Sequence, residues 1–249
     1  MPSRNTKKAS DHVVLAILTG RGKNTLSNKN VRPVLGKPIL YYPAVAAYKS
    51  RLVDGCFVSS DSNKILKTAT RIGFFPIKRP QALAKPNAQH EDAIKHALKH
   101  IQDKHKKNPN ILVILLANSV TIKTKWIDDC ITMIIDDPSL TSVIPVYKDS
   151  DHHPFRSKKI NKDNLLEPFF DFSGLRISTN RQDLEPSYFP CHNFWVIRTE
   201  NLTRNLGQEP WRFMGDKIKP YIIEERTMDV HDMEDIHISE RWLKRNKIK

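Results

Sequence analysis

The sequence predicts an α/β protein, a sheet with helices on both faces. Two observations carry this. Short apolar, β-branched runs alternate with amphipathic helical stretches as far as residue 148. The run ILVILLA, residues 111–117, is apolar at successive rather than alternate positions, as in a central parallel strand buried on both faces.

The elements follow in order. Residues 12–18 read as a first buried strand, and residues 38–50 as a helix opened by Pro38. Residues 55–61 (GCFVSSD) form a second strand. A helix follows with Ser62 as N-cap, Ile65, Leu66, Ala69 and Ile72 on its apolar face, and Gly73 as its stop. FFPIKRP is a third extended piece. HEDAIKHALKHIQDK is an amphipathic helix, KTKWIDDCITMIIDD another, and LTSVIPVY a further strand. From about residue 149 the alternation stops, and residues 149–190 are polar and proline-punctuated, as in an inserted hairpin, lid or dimer arm. HNFWVIRTENL returns to strand and helix start. The chain closes on an acidic turn and a helix carrying Ile236, Ile238 and Trp242.

Composition narrows the function classes. Apolar residues make up 39% of 249, enough for a sizeable core, and residues 1–11 are expected to be a flexible N-terminus of a single domain. The longest apolar run is too short to span a bilayer and no leader peptide is read, so a soluble protein is expected. Cys56, Cys130 and Cys191 are unpaired in spacing, which suits a reducing cytoplasm. The net charge of +14 raises nucleic-acid binding. The densest basic run, residues 95–107, places most of its lysines opposite an apolar helical stripe, which reads as a solvated face.

Three polar clusters fall at strand ends, where ligands sit in such sheets: the loop after the first strand, Ser59-Ser60-Asp61, and Ala117-Asn118-Ser119. In the first loop, glycines let backbone N–H groups turn inward while lysine and arginine supply countercharge, as a triphosphate requires. A plain solvated loop is the alternative. Near the end, DVHDMED offers Asp229 and His231 on one face of an extended segment, with Asp232 as the cap of the last helix. A magnesium ion takes one or two such carboxylates together with phosphate oxygens and water. The chain lacks GxGxxG after the first strand, and it lacks GxxxxGK[ST].

Together these pieces resemble the acylneuraminate cytidylyltransferases, also called CMP-sialic acid synthetases, over about residues 13–243. The family's strand, basic glycine loop and Gly-Lys-Pro turn appear as LTGRGKNTLSNKNVRPVLGKP, and its Ser-Thr-Asp as Ser59-Ser60-Asp61. Its Arg-Pro and following helix appear as Arg79-Pro80, QALA and HEDAIKHAL. Its Leu-Leu-Gln-Pro-Thr-Ser appears as LLANSVTIK, its His-His-Pro as His152-His153-Pro154, its arm segment as RQDLEPSY, and its Asp-Ile-Asp-Thr-Glu as DVHDM.

The resemblance implies a Rossmann-like three-layer α/β/α sandwich of the nucleotide-diphospho-sugar transferase type, with an inserted dimerisation arm at about residues 149–190 and a homodimer. It implies that an acidic sugar attacks the α-phosphate of CTP, with Mg2+ as cofactor. Arg21, Lys23 and Lys29 would act on the triphosphate. Leu18, Gly20, Gly22, Asn30, Arg79, His90 and Asn118 would bind the nucleotide. Arg181, His192 and Asn193 would meet the acceptor, beside Trp195 or Trp211. Asp229 and His231 would face the metal, with Asp232 or a water in place of His231 as the alternative.

The chain also departs from the family. Ala117-Asn118 replaces Gln-Pro, Phe189 stands where an arginine for the sugar carboxylate is expected, and His231 replaces the second magnesium aspartate. Alternatives are therefore another acidic acceptor such as a keto-deoxy sugar or phosphonate, another nucleotide, a nucleic-acid-binding α/β protein, or a member without catalysis.

Overall fold

The computed structural model describes residues 12–23, 26–174, 176–204, 206–225 and 227–248. The expected flexible N-terminus, residues 1–11, lies outside them. The strands and helices in chain order are β1 Val14–Thr19, β2 Pro33–Val34, β3 Lys37–Pro38, α1 Tyr41–Tyr48, β4 Gly55–Ser60, α2 Asn63–Thr70, β5 Phe75–Lys78, α3 His90–His105, β6 Ile111–Leu116, α4 Thr124–Asp136, β7 Ser142–Lys148, β8 Lys158–Ile160, β9 Leu166–Pro168, β10 Tyr188–Pro190, β11 Phe194–Arg198, α5 Asn201–Arg204, β12 Ile218–Ile222 and α6 Met233–Arg245.

The main sheet runs β5-β4-β1-β6-β11-β7, with β10 and β12 also paired to β7. The neighbours β1–β4, β1–β6, β4–β5 and β7–β12 are parallel, while β11 and β10 run antiparallel to their partners. The sheet is thus Rossmann-like and rich in parallel pairs, but mixed. β6 lies between one parallel and one antiparallel neighbour. Successive residues of a strand face opposite sides, and the core divides accordingly. Val14, Ala16 and Leu18 of β1 join a cluster with residues of α1, α2, α4 and α6. Leu15 and Ile17 join another with Ile94, Ala97, Leu98 and Ile101 of α3. Helices therefore cover both faces, as the pattern predicts.

Two local expectations change. Pro38 does not open α1. It pairs with Pro33 in the two-residue β2–β3 ladder, and the helix starts at Tyr41. Ser62 occupies the N-cap of α2 without a side-chain cap bond; its backbone N–H instead donates to Ser60 Oγ at 3.0 Å. Gly73, at φ +116°, ends that turn in a conformation that favours glycine. Asp232 does cap α6, accepting from the Glu234 and Asp235 N–H groups, and the Asp235 carboxylate completes a capping box.

The topology positions the site. From β1 the chain winds to β4 and β5 on one side, then returns to place β6 on the other side of β1. The sequence order therefore reverses between β1 and β6, and the crevice opens beyond their carboxyl ends. Among the described residues no helix is long and apolar enough to cross a membrane. Residues 149–190 leave the end of β7, form the β8–β9 hairpin and return as β10 beside β7.

Candidate active site

Two cavities open at the carboxyl edge of the sheet, and His231 lines both. The smaller, about 420 Å³, lies over the β1/β6 crevice and is lined by Thr19, Gly20, Arg21, Lys29, Asn30, Arg79, His90 and Asn118, with Leu83, Pro86, Ala88 and Ala93 along an apolar side. Three basic side chains, Arg21, Lys29 and Arg79, face it, and no carboxylate is among its lining residues.

Each cation is held by the fold. Gly20 must be glycine, because a Cβ there would stand 2.8 Å from that of Ala117. Its N–H reaches Ser59 O at 3.3 Å, so the chain turns sharply off β1 and brings Arg21 to the cavity. The Arg21 guanidinium donates to Lys85 O at 3.0 Å. Asn30 is buried; its side-chain amide donates to Arg21 O at 3.0 Å and its carbonyl accepts from Leu40 N at 2.9 Å. It ties the loop to the start of α1 and presents Lys29. Burial lowers the Lys29 pKa most, Asp229 pulls it back up, and Arg21 lowers it further. Arg79 is 3% exposed and donates from Nε to Ser59 Oγ at 3.2 Å and from Nη2 to Ser59 O at 2.9 Å. Burial lowers its pKa to about 10, with Asp61 opposing.

Asp229 is set by the sheet edge. Val230 N donates to Asn118 O at 2.8 Å, Thr121 Oγ1 bonds both the N–H and the carbonyl of Met228, and Ser119 bridges to Asp229. The Asp229 carboxylate accepts from Asn118 Nδ2 at 3.0 Å and lies 3.1 Å from His231 Nε2. The His231 N–H donates to Asp235 at 2.7 Å, and Nδ1 lies 3.6 Å from the same oxygen. Asp235 thus orients His231 toward Asp229. Among the described residues no group of three or more His, Cys, Asp or Glu is placed to hold a metal by itself. One carboxylate beside a cationic cavity fits a hard cation that takes its remaining ligands from phosphate and water.

The larger cavity, about 850 Å³, is different in character. Lys148, His152, His192 and His231 share it with Asp149, Asp151, Glu224, Asp229 and Asp235. Phe189, at the position where the resemblance expects arginine, pairs with Tyr147 across β10 and β7 and stacks on it at 5.9 Å. His192 reaches this cavity because the chain bulges: it advances from Pro190 to Val196 while its partner strand moves only from Val146 to Val143. The Trp195 indole closes the bulge by donating to Cys191 O at 3.0 Å.

Several expected site residues lie elsewhere. Leu18 points into the core, fully buried, and Thr19 is the strand-end residue at the cavity. Gly22 lines neither cavity; its N–H donates to Asp61 Oδ1 at 2.8 Å, so it anchors the loop. Lys23 is exposed and also lines neither. Arg181 sits in the arm and pairs with Asp151 at 2.5 Å. Asn193 is 1% exposed, bonded to Thr121 O and to the Phe194 N–H, so both ends of its amide are used inside the protein. Trp195 is buried, with His192 edge-on to it and to Trp211. Sequence reasoning missed Thr19, Lys148 and Glu224 as neighbours of the site, while Asp61 and Asp235 lie in clusters it had singled out. For Lys148 and Glu224 the signal lay in the pairing of β7 with β12, a strand the pattern does not reveal.

Comparison with known proteins fits this geometry. The family model described as cytidylyltransferase matches residues 16–234. The chain belongs to the cytidylyltransferase family. This cytidylyltransferase-family chain is 23% identical over 221 residues to the N-acylneuraminate cytidylyltransferase of Streptococcus agalactiae serotype V, covering 87% of this chain and 50% of that one. With the N-acylneuraminate cytidylyltransferase of Oncorhynchus mykiss it shares 25% identity over 215 residues, 81% and 45% of the two chains. The chain spans about half the length, or less, of the curated relatives it matches. Among solved structures it is similar to CMP:2-keto-3-deoxy-manno-octonic acid synthetase complexed with CTP, with a TM-score of 0.67 at 12% identity over 94% of this chain and 99% of that one. It is also similar to 4-diphosphocytidyl-2C-methyl-D-erythritol synthase from Anaerococcus prevotii, with a TM-score of 0.63 at 14% identity, covering 94% and 96%. At those identities the likeness shows the fold, the Rossmann-like α/β architecture described above.

Proposed function

We propose that this protein is a nucleotidyltransferase that moves CMP from CTP to a hydroxyl of an acidic sugar, a nonulosonic acid such as an N-acylneuraminate or a relative, and releases pyrophosphate. The observation that carries the reading is the smaller cavity, where Arg21, Lys29 and Arg79 converge with no lining carboxylate. Half-buried and buried cations gathered on one wall at a strand-end crevice call for a polyphosphate. Family membership narrows the nucleotide to CTP, and the acidic-sugar specificity of several relatives supports the acceptor class. Another acidic acceptor, a keto-deoxy sugar or phosphonate, is the alternative.

In this mechanism the acceptor hydroxyl oxygen attacks the α-phosphorus, the bond to the β-phosphate oxygen breaks to release pyrophosphate, and the hydroxyl proton passes to solvent. Catalysis is positioning and charge neutralisation. Arg21 and Lys29 hold the triphosphate and stabilise the leaving pyrophosphate. Asn30 and Asn118 hold the loop and the sheet edge in place around the nucleotide. Asp229, oriented by Asn118 and backed by His231, would hold Mg2+ against the phosphates; when bound, the ion neutralises phosphate charge. Lys148 offers positive charge and His192 a hydrogen bond to the acceptor's carboxylate, and the Tyr147–Phe189 stack offers its sugar ring a flat wall.

A homodimer through the 149–190 arm is part of the proposal. Ile160, Leu165, Leu166, Phe169 and Phe170 are exposed together there, a patch that association would cover. The three cysteines, all buried and none in a disulfide, support a cytoplasmic setting. The test is pyrophosphate release from CTP, UTP, GTP and ATP with Mg2+ against a panel of acidic sugars and phosphonates. Release with CTP and one acidic acceptor is expected. A folded protein that neither binds CTP nor releases pyrophosphate would overturn the assignment.

A further inference from the structure

We propose that His90 reads the nucleobase: its Nδ1 is a fixed hydrogen-bond acceptor for the exocyclic amine of cytosine, and it rejects uracil, which carries a carbonyl at that position. The inference rests on the nucleotide reading above and names the residue that sets nucleotide choice.

The argument starts from one proton. Thr19 Oγ1 lies 3.1 Å from Leu115 O and 2.8 Å from His90 Nε2. A carbonyl can only accept, so the single hydroxyl proton of Thr19 lies toward Leu115. Thr19 must then accept from His90, which places the imidazole proton on Nε2 and leaves Nδ1 as a bare acceptor. Protonation would destroy that acceptor. Burial, followed by the charge of Arg79 and then by His192 and Arg21, holds the His90 pKa down to about 4, so the ring stays neutral at working pH. Nδ1 meets no protein donor among the described residues and is not sealed in the interior, while His90 lines the smaller cavity.

The ring is also immobilised. It packs against Trp195 at 5.7 Å and edge-on to Phe213 at 6.4 Å. His90 begins α3, and Ala93 shares its helix face and lines the same cavity. Ala93, Ala88, Pro86 and Leu83 line the same cavity and give it an apolar surface on which a base rather than a phosphate can lie. A neutral ring with one lone pair beside that apolar surface matches an amine donor. Against the uracil carbonyl it sets lone pair to lone pair, and a site built around one hydrogen bond rejects the analogue that cannot make it.

The experiment is calorimetric binding to the intact protein with Mg2+, using CTP, UTP, 2′-deoxy-CTP and the triphosphate of pyrimidin-2-one riboside, which bears neither amine nor carbonyl at that position. UTP is expected to bind about tenfold or more weakly than CTP. The pyrimidinone should fall between them and 2′-deoxy-CTP close to CTP. His90→Gln, whose amide nitrogen can keep the Thr19 bond but offers no atom at the Nδ1 position, should bring CTP and UTP together. His90→Asn, whose carbonyl oxygen stands near the Nδ1 position, should keep CTP ahead. Equal binding of CTP and UTP by the unmodified protein would overturn the proposal. So would a loss confined to 2′-deoxy-CTP, which would assign Nδ1 to a ribose hydroxyl. Failure of the unmodified protein to bind any of the four would defeat the nucleotide reading itself and this proposal with it.

Discussion

The two cavities share one residue, His231, and differ in almost everything else. The smaller is lined by cations without a carboxylate and is built on strand ends and a short turn locked by Asn30 and Ser59. The larger mixes acids with lysine and histidine, is floored by an aromatic pair, and draws on the arm and on a bulge. The difference is chemical. A triphosphate asks for dense positive charge at fixed distances, which few arrangements satisfy. A sugar acid carries one charge and many hydroxyls, so its pocket can trade cations for hydrogen bonds and apolar contact.

The largest test of that contrast is Lys29→Ala. It removes a half-buried cation from the uniformly positive side and should lower pyrophosphate release roughly a hundredfold or more, with the thermal melt unchanged. A loss below threefold would break the division of roles. Asp229→Asn keeps the shape and removes the charge, and should abolish the Mg2+ dependence of turnover, with kcat down by about a hundredfold. A magnesium titration of the variant that matched the unmodified protein would place the metal elsewhere. Lys148→Ala belongs to the mixed cavity and should be milder, raising the acceptor KM about tenfold while leaving CTP affinity alone. Weakened CTP binding in that variant would merge the two sites.

A smaller effect concerns pH. Burial lowers the Lys29 pKa below 10.5, so its ammonium is lost at lower pH than that of a surface lysine. CTP affinity should be full below the lowered pKa and fall as pH rises through it, and Lys29→Arg should move that fall to higher pH. An unchanged alkaline limb in Lys29→Arg would show that another group sets it. Smallest of all is salt: moderate ionic strength should change CTP turnover only a few-fold, whereas nucleic-acid binding by this basic chain would fall steeply.

Much of the contrast is legible in the sequence on one side only. The nucleotide half depends on local order: a strand, a glycine that must approach Ala117, and Lys29-Asn30 a short distance on. Local order survives folding, so Arg21, Lys29, Asn30, Arg79, His90 and Asn118 all reach one cavity. The acceptor half depends on which way neighbouring residues face. His192 and Asn193 look alike as candidates, yet the bulge sends one to the cavity and the other inward to Thr121. Arg181 reads as a free cation until Asp151, far away in sequence, meets it. Lys23 and Gly22 share the loop's composition without reaching the cavity, because Asp61 grips the Gly22 N–H and turns the chain away.

The sheet shows the same division. Apolar periodicity determined that β1 and β6 are buried on both faces and that helices flank them, since burial depends only on which residues repel water. It could not determine that β11 runs antiparallel, because FWVI packs equally well in either direction, nor reveal β12, whose Lys219 and Pro220 hide an edge strand paired to β7. The sequence by itself determined the layers, the cationic loop and the family it resembles. Tertiary structure decided the direction of β11, the bulge and the company of Asp229, because these rest on hydrogen bonds between segments a hundred residues or so apart, and pairing at that range leaves no periodic trace in the chain.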